Sequence, residues 1–184
     1  MPLIAEDLGT ITSDVALLRD QFQVPGTRVL QFAFDGHADN PYLPHNFLAN
    51  TVAYTGTHDN PPTREWYEEL PKPQKEILWS YLERHLVNSE EAAPALIELA
   101  WSSVAALTIA PLQDVFALGA ESRMNVPGRA DGNWRWRFNE QMVPANAFKW
   151  LRDLTNRAKR SASATSKFQT VRTKATHFCE IQKS

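Results

Sequence analysis

The stretch Thr51–Asn60, TVAYTGTHDN, decides how the rest of the chain is read. Val52-Ala53-Tyr54-Thr55 has the apolar, β-prone character of a short buried strand. Gly56 relaxes the backbone after it, and Thr57-His58-Asp59-Asn60 places four polar side chains where the strand stops. Pro61 and Pro62 then remove two backbone donors and forbid further ladder pairing. Polar groups gathered at the C-terminal end of an apolar strand mark the ligand side of parallel α/β folds. The other reading of the same ten residues is a solvated strand-to-loop turn.

Working outward, the same pattern recurs. Pro2-Leu3-Ile4-Ala5 reads as a brief strand that runs into Glu6-Asp7-Leu8-Gly9. Ser13 is placed to cap a helix whose inward stripe is Val15, Leu18 and Phe22, and Pro25-Gly26 ends it. Arg28–Phe34 is nearly continuous in apolar residues, as strands covered on both faces are, and it stops at Asp35. The loop GHADNPYLPHN over 36–46 is rich in turn formers. Beyond Pro62 the spacing predicts helices over 63–70 and 74–87, interrupted by Pro71-Lys72-Pro73. A further helix is capped by Ser89, tolerates Pro94 early, and turns Leu96, Leu99, Ala100 and Val104 inward. Leu107–Ala110 is the fourth strand, followed by Asp114. A short helix over 115–124 broken at Gly119, a Gly- and Trp-rich loop over 125–136, and a last helix over about 145–159 complete the pattern.

Four apolar strands alternating with helices predict parallel βαβ units and an α/β fold. Four such units are half of a (β/α)₈ barrel, which takes about 250 residues when whole. A doubly wound open sheet is the alternative, but Glu6-Asp7-Leu8-Gly9 is not the glycine-rich phosphate loop such a sheet carries after its first strand. Residues 1–160 form the expected domain. The segment 161–184, SASATSKFQTVRTKATHFCEIQKS, has weak periodicity and many small polar residues, and reads as a disordered tail.

A length of 184 residues with 43% hydrophobic content fits one ordinary domain with a real core. A net charge of −2 gives no reason to expect a nucleic-acid partner. No apolar run approaches the roughly 18 residues of a membrane span. The single cysteine, Cys179, excludes a disulfide framework, and no His, Asp, Glu or Cys spacing matches a metal site. No GxSxG nucleophile motif occurs.

Glu6 and Asp59 are the sharpest pair, 53 positions apart at the ends of the first and third expected strands. At the common mouth of a parallel barrel they can converge, and glycoside chemistry needs one carboxyl to protonate the leaving oxygen and another to steady a cationic ring. Acids in these positions also simply cap the next helix. His58 reads either as a donor to a substrate hydroxyl or as a side chain bonded to a nearby carbonyl. Trp134 and Trp136, flanking Arg135, read as sugar platforms or as partly buried anchors of their loop.

IAEDLG at 4–9, RVLQFAFDG at 28–36, NPYLPHN at 40–46, YTGTHDN at 54–60, APLQDVFALG at 110–119 and ESRMNVPGRADGNWRWR at 121–137 together resemble the C-terminal catalytic half of the amylomaltases. These are the 4-α-glucanotransferases (disproportionating enzymes) of the α-amylase clan. The resemblance covers roughly residues 2–158 and consists of several long motifs in order. It implies half of a (β/α)₈ barrel with open sheet edges and a retaining transfer of an α-1,4-glucan segment to the 4-hydroxyl of an acceptor glucan. It implies Glu6 as general acid/base, Asp59 as the acid that stabilises the transition state, and His58 as a donor to the sugar. Asp7, Asp35 and Asn125 fall where the family has substrate-binding polar residues. The resemblance implies α-1,4-glucans and maltooligosaccharides as partners, no cofactor or metal, and a cytoplasmic or plastid-stromal setting. The family's nucleophile is an aspartate in an Arg-x-Asp-His context at the end of the preceding strand, and no stretch of this sequence has that context. The expectation is therefore a piece of a longer enzyme, or a truncated product, whose catalytic partner is the missing N-terminal half of the barrel.

Overall fold

The computed structural model describes residues 3–161. They divide into two compact units, the first ending at Ala147 and the second beginning at Phe148.

The first unit is built on a parallel sheet of three strands in the order β1 (Gly26–Val29), β2 (Thr51–Tyr54), β3 (Leu107–Ile109). Thr27 stands opposite Val52, and Val52 opposite Leu107, so all three strands point their C-terminal ends the same way. Strand β2 lies in the middle, and its Thr51, Val52 and Ala53 are buried. Coverage on both faces is why it carries no alternation.

The helices follow the strands. Helix α1 (Ser13–Gln21) precedes β1. The β2-to-β3 crossover holds α2 (Thr63–Glu69), α3 (Lys72–Leu82) and α4 (Ala92–Ser102). Helix α4 is the core element, burying Ala92, Ala93, Ala95, Leu96, Ile97, Ala100 and Trp101 and packing against α2 and α5 (Leu112–Val115). Its small N-terminal side chains allow close approach, and each fully buried Leu or Ile there contributes about 2 kcal/mol. The β1-to-β2 connection contains no α-helix. Its loop is held instead by asparagine side chains: Asn40 Nδ2 donates to the Phe32 carbonyl at 2.9 Å, and Asn46 Nδ2 donates to those of Ala38 and Asn40, both at 2.9 Å. Phe34 from this loop packs edge-on to Tyr81 of α3. The second unit holds nearly all of the last helix, α6 (Ala147–Arg157).

Several expectations need correction. The strand expected over Pro2–Ala5 is, among the described residues, a single parallel bridge from Ala5 to Gly26, with Ala5 N–H donating to the Pro25 carbonyl at 2.9 Å. The strand expected over 28–34 begins at Gly26 and gives way to a 3₁₀ turn over Leu30–Phe32, so apolar content continues past the end of pairing. Helix α1 has its N-cap at Thr12, one residue before Ser13. Its expected inward stripe is exposed: Val15 is 48%, Leu18 56% and Phe22 69% accessible. Val104 lies past the end of α4 and is likewise exposed. The helix expected over 115–124 is α5 followed by a separate 3₁₀ turn over Ala120–Ser122. The expected tail falls almost wholly outside the described residues.

One buried carboxylate ties these elements together. Asp114 of α5 is 1% exposed. It accepts hydrogen bonds from Thr55 Oγ1 at 2.5 Å, Thr63 N–H at 2.8 Å and Thr63 Oγ1 at 2.7 Å. The N-cap of α2 is Pro62, which offers no side-chain acceptor, so Asp114 caps that helix from another element. Burial pushes the Asp114 carboxyl above the usual carboxylate range, and the bonds from Thr55 and Thr63 pull it partway back. With the folded value raised, protonation favours the fold. That contribution is complete below the ordinary value of about 3.9 and is lost as pH rises through the raised one. Asp114→Asn, which holds an uncharged amide in the same place, is expected to flatten the stability profile above about pH 4 in urea melts. Asp114→Ala is expected to cost about 2–4 kcal/mol near pH 4, and less as pH rises, because it leaves the buried Thr63 N–H and two hydroxyls without an acceptor.

Candidate active site

Beyond β2 the chain turns tightly. Thr57 N–H and Oγ1 both donate to Asn60 Oδ1, at 2.9 and 2.8 Å, and Asp59 N–H donates to Thr57 Oγ1 at 3.3 Å. This turn pushes His58 and Asp59 outward, with side chains 54% and 46% accessible. His58 Nε2 lies 3.4 Å from Asp59 Oδ1. The side chain of Asn125, 66 positions further along the chain, meets this turn, and its Nδ2 donates to Asp59 Oδ1 at 2.5 Å.

The loop after Asn125 is shaped by Asn133. Its Oδ1 accepts from Val126 N–H at 3.0 Å, and its Nδ2 donates to the Arg129 carbonyl at 2.7 Å. The next residue, Trp134, has a φ of +62° and donates its N–H to the Met124 carbonyl at 2.7 Å. A left-handed backbone at a bulky residue costs energy and persists only where its surroundings enforce it. Here it delivers the indole to within 5.2 Å of the His58 ring, leaving Trp134 52% exposed. Trp136 is half-buried and stacks on Phe138 at 6.0 Å.

Thus the structure brings His58, Asp59 and Asn125 together and adds Trp134, one of the two tryptophans the sequence singled out. Glu6 is exposed at the end of the Ala5 bridge. It lies within electrostatic reach of the Tyr54 hydroxyl, which burial first, and the Glu6 carboxylate second, push above its usual range. Tyr54 is the last residue of β2, while the Ala5 bridge that precedes Glu6 stands level with Gly26 and Thr51, the first residues of β1 and β2.

Asp7 is placed differently. It is 7% exposed, and its oxygens accept from Thr27 N–H at 2.6 Å, from Arg28 Nη1 at 3.1 Å and from Arg19 Nη1. Gly26 is required beside it, since a Cβ there would lie 2.7 Å from Asp7 Oδ2. Asp35 is exposed beyond β1 and accepts from His37 N–H at 3.0 Å. That bond, with a smaller one from Asn40, holds its carboxyl below the usual range. Asp35 opens onto a shallow depression shared with His37, Asp39, Asn40 and Tyr42. Among the described residues, no three His, Cys, Asp or Glu side chains are grouped to hold a metal ion, and no helix is long and apolar enough to cross a membrane. Sequence reasoning missed Arg123 and Glu65, whose contacts with the site run through the fold.

The family that matches, over residues 1–143, is described as 4-alpha-glucanotransferase. The chain is 52% identical over 135 residues to the chloroplastic/amyloplastic 4-alpha-glucanotransferase of Solanum tuberosum, covering 73% of this chain and 23% of that protein. It is 51% identical over 142 residues to the 4-alpha-glucanotransferase of Thermus thermophilus, covering 74% of this chain and 28% of the relative. The chain therefore spans about a quarter of the length of these curated relatives. Its structure is similar to that of amylomaltase from Streptococcus agalactiae in complex with acarbose, with a TM-score of 0.82 and 34% identity, covering 88% of this chain and 32% of that one.

Asn133→Ala is expected to release the loop it closes. Trypsin should then cleave after Arg129 at least several-fold faster, and Trp134 emission should shift to longer wavelength while the thermal midpoint changes by only a few degrees. Unchanged cleavage would show that the loop is held by other bonds.

Proposed function

The chain belongs to the 4-α-glucanotransferase family, and we propose that it forms the C-terminal half of that family's (β/α)₈ catalytic barrel and supplies the acid/base side of a retaining glucan-transfer site. The juxtaposition that supports this reading is Asp59, Asn125, His58 and Trp134 beyond the end of β2, with Glu6 within electrostatic reach of Tyr54, the last residue of that strand.

In this reading Glu6 protonates the departing glycosidic oxygen and later takes the proton from the incoming 4-hydroxyl. Its exposure suits it to both transfers. Asp59 stabilises the positively charged ring and holds sugar hydroxyls through the oxygen not engaged by Asn125. His58 donates to a sugar hydroxyl beside the scissile bond. Trp134 offers an apolar face against which a sugar ring stacks, and its loop fixes the indole against His58 so little ordering is needed on binding. Asp35 contributes a carboxylate to more distant sugar hydroxyls. Asp7, with its oxygens taken by Thr27, Arg19 and Arg28, serves the substrate through Glu6 by fixing the backbone from which that side chain leaves.

A retaining mechanism needs a nucleophile about 5–5.5 Å from the acid/base. The family's nucleophile motif is absent from these 184 residues. We place it on the N-terminal half of the family's barrel, which is the partner this proposal requires. Transfer then prevails over hydrolysis when an oriented acceptor sugar displaces water from the glycosyl-enzyme intermediate. The substrates are α-1,4-glucans and maltooligosaccharides in the cytoplasm or plastid stroma.

The test mixes the purified chain with a polypeptide carrying the N-terminal part of a family member and supplies maltotriose. Glucose and longer oligomers are expected from the mixture, and neither from the chain alone. Glu6→Gln in the mixture is expected to lower the rate by about two to four orders of magnitude. A Gln variant of near-normal rate would remove the acid/base assignment, and binding of maltotriose with no turnover in any mixture would favour a glucan-binding remnant.

A further inference from the structure

Arg123 joins Glu65 to the cluster through Asn125. Glu65 lies in the first turn of α2, next to Thr63, whose N–H and hydroxyl are fixed by Asp114. Arg123 follows the 3₁₀ turn Ala120–Ser122, in which the fully buried Ser122 donates its hydroxyl to the Gly119 carbonyl at 2.8 Å and accepts at its own carbonyl from Gln113 Nε2 at 3.1 Å. Both residues therefore leave rigid backbone.

An arginine facing a carboxylate ordinarily uses two parallel donors on its two oxygens. Arg123 does not. Its Nη1 reaches Glu65 Oε1 at 3.3 Å, while its Nε donates to the Asn125 carbonyl at 3.2 Å. Glu65 Oε2 is left buried with no partner. Burial pushes the Glu65 carboxyl up and the Arg123 charge pulls it back. A buried polar atom without a partner costs about 1–3 kcal/mol and calls for an explanation. The second arginine donor is spent on the residue whose side chain bonds Asp59.

We propose that Arg123, braced by Glu65, is a positioning residue: it holds the Asn125 backbone so that the Asn125 side chain donates to Asp59. The relay runs from α2 through Glu65, Arg123 and Asn125 to the outward-facing carboxylate. It sets which Asp59 oxygen is occupied and which is presented to a ligand. The proposal rests on the reading of Asp59 as a sugar-binding carboxylate for its consequence, and on geometry alone for the relay itself.

The test uses the whole chain labelled with ¹⁵N and follows the Asn125 side-chain amide by NMR. In the unmodified chain its two protons are expected to be well separated, one shifted downfield by the short bond to Asp59. Arg123→Lys keeps a cation for Glu65 but has no Nε donor. It is expected to melt near the unmodified chain and to lose the downfield Asn125 proton, with maltotriose binding weakened about tenfold, the size of one lost charge-assisted hydrogen bond. Arg123→Ala is expected to lose the same signal and some stability. An Asn125 amide that stays in place in the Lys variant would overturn the proposal. So would a Lys variant that fails to fold, since the arginine would then belong to the architecture alone. If maltotriose shifts neither Asn125 nor the Trp134 indole in the unmodified chain, the glucan reading fails, while the response of the Asn125 signal to Arg123→Lys still decides the relay.

Discussion

A carboxylate 1% exposed, with three donors aimed at it, is a demanding constraint, and Asp114 imposes it on three parts of the fold at once. Its partners are the residue just past β2 and the first residue of α2. The seven-residue turn between them, Gly56–Pro62, is thereby held at both ends. His58 and Asp59 lie inside that turn. An acid in the core thus acts as a structural clamp, while Asp59, inside the turn it clamps, faces outward to His58 and Asn125. The two differ only in what surrounds them, since an isolated buried charge is tolerated only when its lone pairs are satisfied.

The same division appears at the first bridge. Glu6 and Asp7 are adjacent, yet Asp7 turns inward to Thr27 N–H and two guanidinium groups while Glu6 stays in solvent. Neighbouring residues in extended backbone face opposite ways. One side chain of the pair therefore stitches the edge segment to β1, and the other is presented at the sheet. The missing side chain of Gly26 leaves room for this inward carboxylate.

The site combines such fixed points with a loop that departs from ordinary backbone preference. Trp134 holds a left-handed conformation beside the Asn133 clasp, with its N–H on the Met124 carbonyl and its own carbonyl accepting from Arg137 Nη1. The strain is confined to one residue, and its result is an exposed indole next to His58. On the opposite flank, Arg123 divides its donors between Glu65 and Asn125. Stability is given up at Glu65 Oε2, and geometry is gained at Asp59.

The polar ends of β2 and β3 were legible in the sequence because apolar runs stop abruptly at Gly or Pro, and these punctuate backbone through their own dihedral limits. The helices of the β2-to-β3 crossover were legible in type because burial on one face repeats at helical spacing, but not in their ends: α3 takes in Lys72 and Pro73 and stops at Leu82 rather than 87, and α4 begins at Ala92 after a 3₁₀ turn capped by Asn88, not at Ser89. The run 28–34 misled because burial, not pairing, makes a segment apolar, and a 3₁₀ turn in the core is as apolar as a strand. Helix α1 misled because Val15, Leu18 and Phe22 have helical spacing but no covering partner among the described residues. Residue types and order thus identified His58, Asp59 and Trp134 as candidates, and the family resemblance added Asn125. Only the tertiary structure could show that Asn125 reaches Asp59 across 66 positions, that Asp7 is spent on Thr27 N–H and two arginines, and that Arg123 divides its donors between Glu65 and Asn125. Hydrogen bonds form between groups that meet in space, and sequence spacing carries no information about which distant groups will meet.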